Sequence, residues 1–181
     1  MNPTISAIAS PDDTAPQQSD APQEIGGPVE TVRNRSVVTR FGELVIDDDK
    51  IITFPEGLYG FEQHHRYILT KVPDWPDVFK LLQAVDDPHL SLIVLPLEGV
   101  GGPIDRTDFA EGCRMLGFSE QATTVLGIVT MRSQTDNQIF TVNLKAPLLI
   151  DTERRQGRQH VFASEKYQMR HPLPLHENQE G

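Results

Sequence analysis

The feature that most constrains the fold of this chain is the segment Phe54-Pro55-Glu56-Gly57-Leu58-Tyr59-Gly60-Phe61-Glu62, which lies between two β-type runs. Glycine reaches backbone angles that are closed to other residues, and proline fixes its own φ, so this spacing fits neither a regular helix nor a regular strand. Its aromatic rings supply the apolar area that holds such a turn against a core. The segment predicts an irregular turn anchored by Phe54, Leu58 and Phe61. An ordinary well-packed loop is the alternative to a functional site.

The chain divides by composition into three parts. Residues 1–36 contain five prolines and no Phe, Tyr, Trp or Lys, and such a segment buries too little apolar surface to offset its ordering entropy. We therefore predict a disordered, acidic extension over residues 1–36, one domain over residues 37–173 and a flexible tail over residues 174–181. A body of this length is ordinary for a single hydrophobic core.

Short β-rich runs separated by polar turns fill the body. The runs at 39–46 and 51–54, joined by Asp47-Asp48-Asp49-Lys50, predict an antiparallel hairpin. Asp86-Asp87-Pro88-His89 predicts a second hairpin turn, between strands at 78–85 and 90–95. The other predicted strands lie at 66–72, 124–131, 138–144, 146–150 and 158–163, with a bend before Pro147.

One helix is predicted among these strands. Asp108, with Glu111 three residues later, is typical of a helix N-terminus. Phe109, Cys113 and Leu116 then form one apolar stripe, and Gly117 is a natural stop. The fold class is therefore mainly β: a compact, antiparallel, partly open β-barrel-like domain, or a sandwich, with one short helix.

The charge of the chain restricts its partners. The net charge is −10, and the densest basic cluster is Arg154, Arg155 and Arg158 around Gly157. Phosphate binding requires clustered cations, so the sequence disfavours direct binding to nucleic acid. Acidity favours encounter with a basic protein, although it also serves solubility alone.

The sequence offers little for catalysis or for metal binding. Cys113 lies on the apolar stripe of the predicted helix, which favours an inert thiol. The histidines form no H-x-x-x-H pair, and a single cysteine provides no zinc set. The paired carboxylates lie in predicted turns open to water, where a raised pKa is not expected. We expect a protein that is not an enzyme and uses no cofactor and no metal.

The chain is expected to be cytoplasmic. Its longest apolar run, Leu92–Leu97, has six residues, far short of the roughly 20 that span a bilayer. Residues Ile5–Ala9 are too short and interrupted for a signal-peptide core. A lone cysteine fits a reducing compartment. We therefore expect no membrane partner.

Several strings occur in an order that identifies a family. They are "ITFPEGLYGFE", "LLQAVDDPHLSLIV", "TVNLKAPLLID" with "RRQGRQ", and "YQMRHPL". Together they resemble the flagellar assembly factor FliW family, over about three quarters of the chain. The resemblance implies a compact β-barrel-like fold and a cytoplasmic protein that binds flagellin. It also implies binding to the RNA-binding translational repressor CsrA, which relieves repression of flagellin translation.

A second hypothesis is a small-ligand-binding or structural β-barrel, in which residues 54–61 line a pocket. Under the regulatory hypothesis, the partner-binding candidates are acidic residues that lie in turns and flank the matched strings. They are Asp47, Asp48, Asp49, Glu56, Glu62, Asp86 and Asp87.

Overall fold

β-Strands dominate the part of the chain that the computed structural model describes, which comprises residues 35–97, 102–134 and 137–174. The strands are β1 (Arg35–Thr39), β2 (Gly42–Ile46), β3 (Ile52–Thr53), β4 (Arg66–Lys71), β5 (Lys80–Ala84), β6 (Ser91–Pro96), β7 (Thr123–Gln134), β8 (Asn137–Val142), β9 (Leu148–Asp151), β10 (Gln156–Gln159) and β11 (His171–Leu173), and the helix is α1 (Arg106–Leu116). The predicted fold class, mainly β with one helix, is confirmed. Most of the predicted extension (residues 1–34) and most of the predicted tail (175–181) lie outside the described residues.

Seven strands form a ring. Each strand pairs with the next in the order β7-β6-β5-β4-β3-β10-β9, and β9 pairs again with β7. The pairings are antiparallel except the one between β3 and β10, which is parallel and consists of one residue pair, Gln156 with Thr53. The Thr53 amide also donates to the Arg155 carbonyl at 2.9 Å. The ring therefore closes through a narrow seam, which makes the barrel partly open.

Strand β7 is long enough to pair with both β8 and β9, and the chain bends between those two strands. The first residues of β7 pair with β9 and its last residues pair with β8. Between β8 and β9 the Ala146 amide donates to Asn143 Oδ1 at 2.9 Å, and Pro147 follows. The bend predicted before Pro147 is present. The sequence did not predict β11, which pairs with the outer edge of β8, and β10 is shorter than the strand predicted over 158–163.

The first hairpin differs from the prediction. Residues 42–46 pair with residues 35–39 through a two-residue turn, Arg40-Phe41, and not with residues 51–54. Thr39 Oγ1 donates to the Gly42 carbonyl at 2.9 Å and accepts from the Phe41 amide at 3.0 Å. Gly42 has φ 105°, which only glycine adopts readily. The side chain of Thr39 and the freedom of Gly42 thus place the turn earlier than the polar residues suggested.

The polar run 47–50 is a turn of 3-10 helix and not a hairpin loop. The chain leaves it in a new direction, and β3 pairs with β4 instead of β2. The domain also begins earlier than predicted, because Arg35 and Ser36, assigned to the extension, are the first residues of β1 and pair with Ile46 and Val45.

The two larger of three apolar clusters among the described residues lie on opposite sides of the sheet, since neighbours along a strand, such as Leu81 and Leu82, belong to different clusters. One joins strands around the ring and consists of Ile52, Phe54, Leu58, Tyr67, Leu82, Ala84, Leu90, Val94, Leu126, Leu148 and Ile150. The other lies between the sheet and α1 and includes Leu81, Cys113, Val125, Leu149, Phe162 and Tyr167. The predicted stripe of α1 faces this second cluster: Cys113 is buried, and Phe109 and Leu116 are partly buried against it.

The helix ends where the sequence indicated and begins earlier. Gly117 is its C-cap, with φ 69°. Its N-cap is Asp105 and not Asp108. Asp108 lies in the first turn, where its carboxylate accepts a hydrogen bond from the Tyr167 hydroxyl at 2.5 Å. The residue predicted to cap the helix therefore connects it to a distant segment.

The Tyr67 hydroxyl is buried within the ring cluster and has no hydrogen-bond partner among the described residues. Burial, with the nearby charge of Asp87, raises the pKa of Tyr67 to about 12. An unsatisfied buried hydroxyl costs about 1–3 kcal/mol. We therefore expect Tyr67→Phe to raise the free energy of unfolding by about 1 kcal/mol in urea titrations.

Tyr167→Phe is the matched control, because the Tyr167 hydroxyl donates to Asp108 and accepts from the Asp105 amide at 3.0 Å. That variant should be destabilised. A Tyr67→Phe variant as unstable as Tyr167→Phe would show that the Tyr67 hydroxyl has a partner.

Candidate protein-binding surface

The turn over Phe54–Glu62 is held rigidly, as the sequence indicated. Gly57 and Gly60 both have positive φ, 68° and 84°. The Gly57 amide donates to the Phe54 carbonyl at 2.9 Å, and the Phe61 amide donates to the Leu58 carbonyl at 2.7 Å. Phe54 and Leu58 are fully buried, whereas Phe61 is only partly buried. Two of the three predicted anchors therefore lie in the core, and Phe61 contributes at its margin.

The turn is also attached to β10. The Tyr59 amide donates to Gln159 Oε1 at 3.0 Å, and Gln159 Nε2 donates to the Ala146 carbonyl at 3.0 Å. Gly157 leaves room for the Phe54 ring, since a Cβ there would lie 2.4 Å from Phe54 Cε1. The turn consequently supports the narrow seam between β3 and β10.

Glu56 and Glu62, the candidate acids of this turn, each have a structural partner. Glu56 forms an ion pair with Arg158 of β10. Glu62 Oε1 accepts the Gly60 amide at 2.8 Å, and this hydrogen bond holds the pKa of Glu62 below its usual value. Both carboxylates therefore stabilise the turn in addition to giving it negative charge.

Asp86 and Asp87 lie in the turn between β5 and β6. Asp86 receives two hydrogen bonds from Arg66, at 2.5 and 3.2 Å, which raise the pKa of Arg66. Asp87 Oδ1 accepts the His89 amide at 2.9 Å. This turn is the one the sequence predicted, and its carboxylates organise it.

Asp47, Asp48 and Asp49 behave differently from one another. Asp47 forms an ion pair with Lys50 at 3.0 Å and accepts the Asp49 amide at 3.0 Å; the Lys50 contact is the main cause that holds the pKa of Asp47 low. The side chains of Asp48 and Asp49 are exposed and make no hydrogen bond or ion pair with any described residue. These two carboxylates therefore remain available to a partner.

The structure brings some of the seven candidates together. The negative charges of Asp86 and Asp48 both raise the pKa of Arg66, so the turns at 86–87 and 47–49 are close enough to interact electrostatically with the same side chain. Glu56 and Glu62 belong instead to the turn beside β10. Glu43 of β2 is a further exposed acid that is not among the seven candidates. Its side chain has no partner among the described residues.

Tyr167, the first residue of the last matched string, and Lys166, which precedes it, hold the start of α1 in place. Lys166 contacts the carboxylates of Asp105 and Asp108, and it lies 4.9 Å from the centre of the Tyr167 ring. These carboxylates raise the pKa of Lys166, and Lys166 lowers the pKa of Asp108. The motif therefore has a structural role in fixing the helix.

The basic cluster named from the sequence is largely engaged. Arg154 pairs with Asp151 at 3.1 Å and donates to the Gly117 carbonyl at 3.2 Å. Arg158 pairs with Glu56. Two of the three arginines therefore already have anionic or carbonyl partners, which lowers their capacity to hold phosphate.

The described residues contain no group of three His, Cys, Asp or Glu side chains arranged to hold a metal ion. Cys113 is buried, and its burial raises the pKa of the thiol, which suits a packing role. No helix in the described ranges has the length and apolar character needed to span a membrane.

Fold and surface define a class: a partly closed β-barrel with one helix and with acidic turns on its surface. The FliW protein family model matches residues 36–173, and the chain belongs to the FliW family. It is 39% identical over 136 residues to the flagellar assembly factor FliW of Geotalea uraniireducens, covering 75% of this chain and 81% of that protein. It is 36% identical to the flagellar assembly factor FliW of Natranaerobius thermophilus, covering 74% of this chain and 87% of that protein.

A solved structure has the same fold. The crystal structure of a flagellar assembly factor FliW superimposes with a TM-score of 0.58 at 23% identity, covering 76% of this chain and 96% of that chain. The partly closed barrel is thus a known architecture.

Proposed function

We propose that this protein is a cytoplasmic flagellar assembly factor that binds flagellin and a CsrA-type repressor, and thereby relieves repression of flagellin translation. The observation that carries the proposal is the family match over residues 36–173, the whole described barrel. Export of flagellin would free the protein to capture the repressor. The control is competition between two protein partners, and no covalent bond is made or broken.

The charge of the chain supports capture of a basic repressor. A repressor that holds RNA phosphates is basic where it binds them, and a protein with net charge −10 is attracted to it. One carboxylate about 8 Å from a phosphate, at an effective dielectric near 40, costs RNA binding about 1 kcal/mol before salt screening. Two or three such carboxylates weaken RNA binding about ten- to a hundredfold. Asp48 and Asp49 have the exposure this role requires.

The ring cluster argues against the small-ligand alternative. Phe54, Leu58, Leu82, Leu126 and Leu148 pack against one another between the strands and are almost completely buried. A binding barrel needs interior space for its ligand, whereas large buried side chains pack against one another in the described interior. Contact through the outer surface is therefore the better supported function.

The proposal is tested by a gel shift with labelled flagellin leader RNA, purified repressor and increasing amounts of this protein. We expect RNA to leave the repressor, and this protein alone to leave RNA unshifted. RNA that stays on the repressor at large excess would contradict the proposal, and a shift by this protein alone would contradict the charge argument. Raising salt should slow association more than it speeds dissociation.

Charge reversal locates the effect. We expect Asp48→Lys/Asp49→Lys to weaken repressor capture with little change in melting temperature, because both side chains are exposed and neither makes a hydrogen bond or ion pair with a described residue. The control is Glu120→Lys/Glu165→Lys, which makes the same change in net charge on two other exposed residues. Equal losses in both variants would mean that net charge acts and the 47–49 turn does not.

A further inference from the structure

The β1–β2 hairpin is a separate, two-stranded sheet within the described chain. It pairs with no strand of the nine-stranded sheet, so each of its strands has an outer edge unpaired by any described residue. Open edges present free N–H and C=O groups to another strand. The edge strand β11 differs, since it has three residues and contains Pro172, which cannot donate a ladder hydrogen bond. The edge at β11 is therefore protected against the addition of another strand, whereas the outer edges of β1 and β2 are not.

The hairpin is nevertheless fixed on the body. Ile46 is fully buried against Ile68 and Val85. At the turn, Arg40 Nη2 donates to the Ser91 carbonyl at 3.2 Å, and its guanidinium lies 4.8 Å from the centre of the Phe41 ring. Because the β1–β2 hairpin is held to the body at both ends, it loses little conformational entropy when a partner strand adds to it.

The outward face of this platform is apolar and acidic. Val38 and Val45 are 75% and 64% exposed. The register pairs Val38 with Glu43 and Ser36 with Val45, so the valines are diagonal neighbours on one face. Exposed valines on an unpaired β-ribbon match a surface that is covered by another chain.

Charge selects the strand and the partner. Glu43 lies on β2, and Asp48 and Asp49 follow its end; none of the three has a side-chain partner among the described residues. The nearby cations already have acceptors: Lys50 pairs with Asp47, Arg66 pairs with Asp86 and interacts more weakly with Asp48, and Arg40 donates to the Ser91 carbonyl. The β2 edge therefore offers the carboxylate of Glu43 on the same face as Val45, which complements a segment that carries a cationic and an apolar side chain two residues apart on one face.

We infer that the outer edge of β2 is a strand-addition site, on which the basic repressor lays an extended segment beside Gly42–Ile46. The inference rests on the proposed function and adds the contact surface to it. Main-chain hydrogen bonds to β2 provide affinity. Val45 of β2 packs against the apolar side chains of the segment, with Val38 extending the apolar face on β1, and Glu43, Asp48 and Asp49 attract its cations.

Amide hydrogen exchange of the full chain tests the mode of binding. With saturating purified repressor, we expect exchange to slow at those amides of Gly42–Ile46 that point away from β1, because an added strand hydrogen-bonds them. Binding without slowing there overturns the inference and leaves the proposed function intact. Failure of the wild-type chain to bind the repressor overturns both.

The alternative occupants are distinguished in the same experiment. Slowing caused by flagellin and not by the repressor overturns the inference in favour of the other partner. Protection of these amides that is already present in the free chain overturns the inference. If that protection disappears on dilution, the occupant is a second copy of this chain. If it disappears when residues 1–34 are removed, the occupant is the chain's own extension.

Substitution tests the face. We expect Val38→Lys/Val45→Lys to weaken binding to the repressor about tenfold or more, because lysines replace the apolar contact and neutralise the carboxylates. The matched control is Val78→Lys/Val161→Lys, on valines that are 51% and 46% exposed elsewhere. Equal affinity for the two variants, at equal melting temperature, overturns the inference.

Discussion

Phe54→Ala should lower the free energy of unfolding by about 3–5 kcal/mol, as truncation of a fully buried aromatic side chain does. Phe54 is completely buried, and its ring meets Tyr67 edge-on at 5.3 Å between centroids. It also packs on Gly157, at the seam where β3 and β10 close the ring. Since a single residue pair joins these two strands, loss of the ring removes contacts that the backbone does not replace. Urea unfolding followed by circular dichroism measures the effect.

Phe61→Ala is the control within the same turn. The sequence alone predicted Phe61 as an anchor whose removal costs about 3 kcal/mol, as large-to-small core changes do. Because Phe61 is only partly buried, we now expect a clearly smaller loss than for Phe54. A loss for Phe61→Ala that equals the loss for Phe54→Ala would contradict this ranking. The Phe54→Ala/Gly157→Ala double variant should be less destabilised than the sum of its single variants, since the two positions are in contact.

Gly57→Ala should cost about 2–4 kcal/mol, the sum of a positive-φ penalty near 1 kcal/mol and an overpacking penalty of about 1–3 kcal/mol. Gly57 has φ 68°, and a Cβ there would lie 2.6 Å from Glu62 Cα. The contacted atom is backbone, so the Glu62 segment must shift as a whole. The shift would also disturb the hydrogen bond between Glu62 Oε1 and the Gly60 amide.

Gly60→Ala separates the two penalties. Gly60 has φ 84°, and a Cβ there would meet no atom within 4 Å. This variant should lose only the conformational part, about 1 kcal/mol. Thermal unfolding of both variants measures the difference. Equal losses would mean that the close approach of Gly57 to Glu62 contributes nothing.

Local chemistry made much of the fold predictable. The prolines and glycines of residues 54–62 indicated an irregular turn because their backbone preferences are intrinsic. Asp86-Asp87-Pro88-His89 indicated the β5–β6 hairpin for the same reason, and Gly117 marked the end of α1. The family resemblance rested on these local strings, and the match over residues 36–173 confirms it.

Pairings between strands that are distant in the sequence could not be predicted from local residue patterns. The polar run 47–50 resembled a hairpin turn, but Thr39 and Gly42 form the tighter turn, and β3 pairs with β4 and β10. The short strand β11 escaped notice because three residues with a proline carry almost no pattern. Its place depends on pairing with β8.

The candidate acids show the same division. The sequence by itself determined that these acids lie in turns, because short polar runs between β segments are typical of turns. Only the tertiary structure decided which of them have partners: Arg66 pairs with Asp86 and Arg158 pairs with Glu56 across the fold, while Asp48 and Asp49 make no hydrogen bond or ion pair with a described residue. An ion pair depends on the distance between side chains that are far apart in the chain, and folding alone sets that distance.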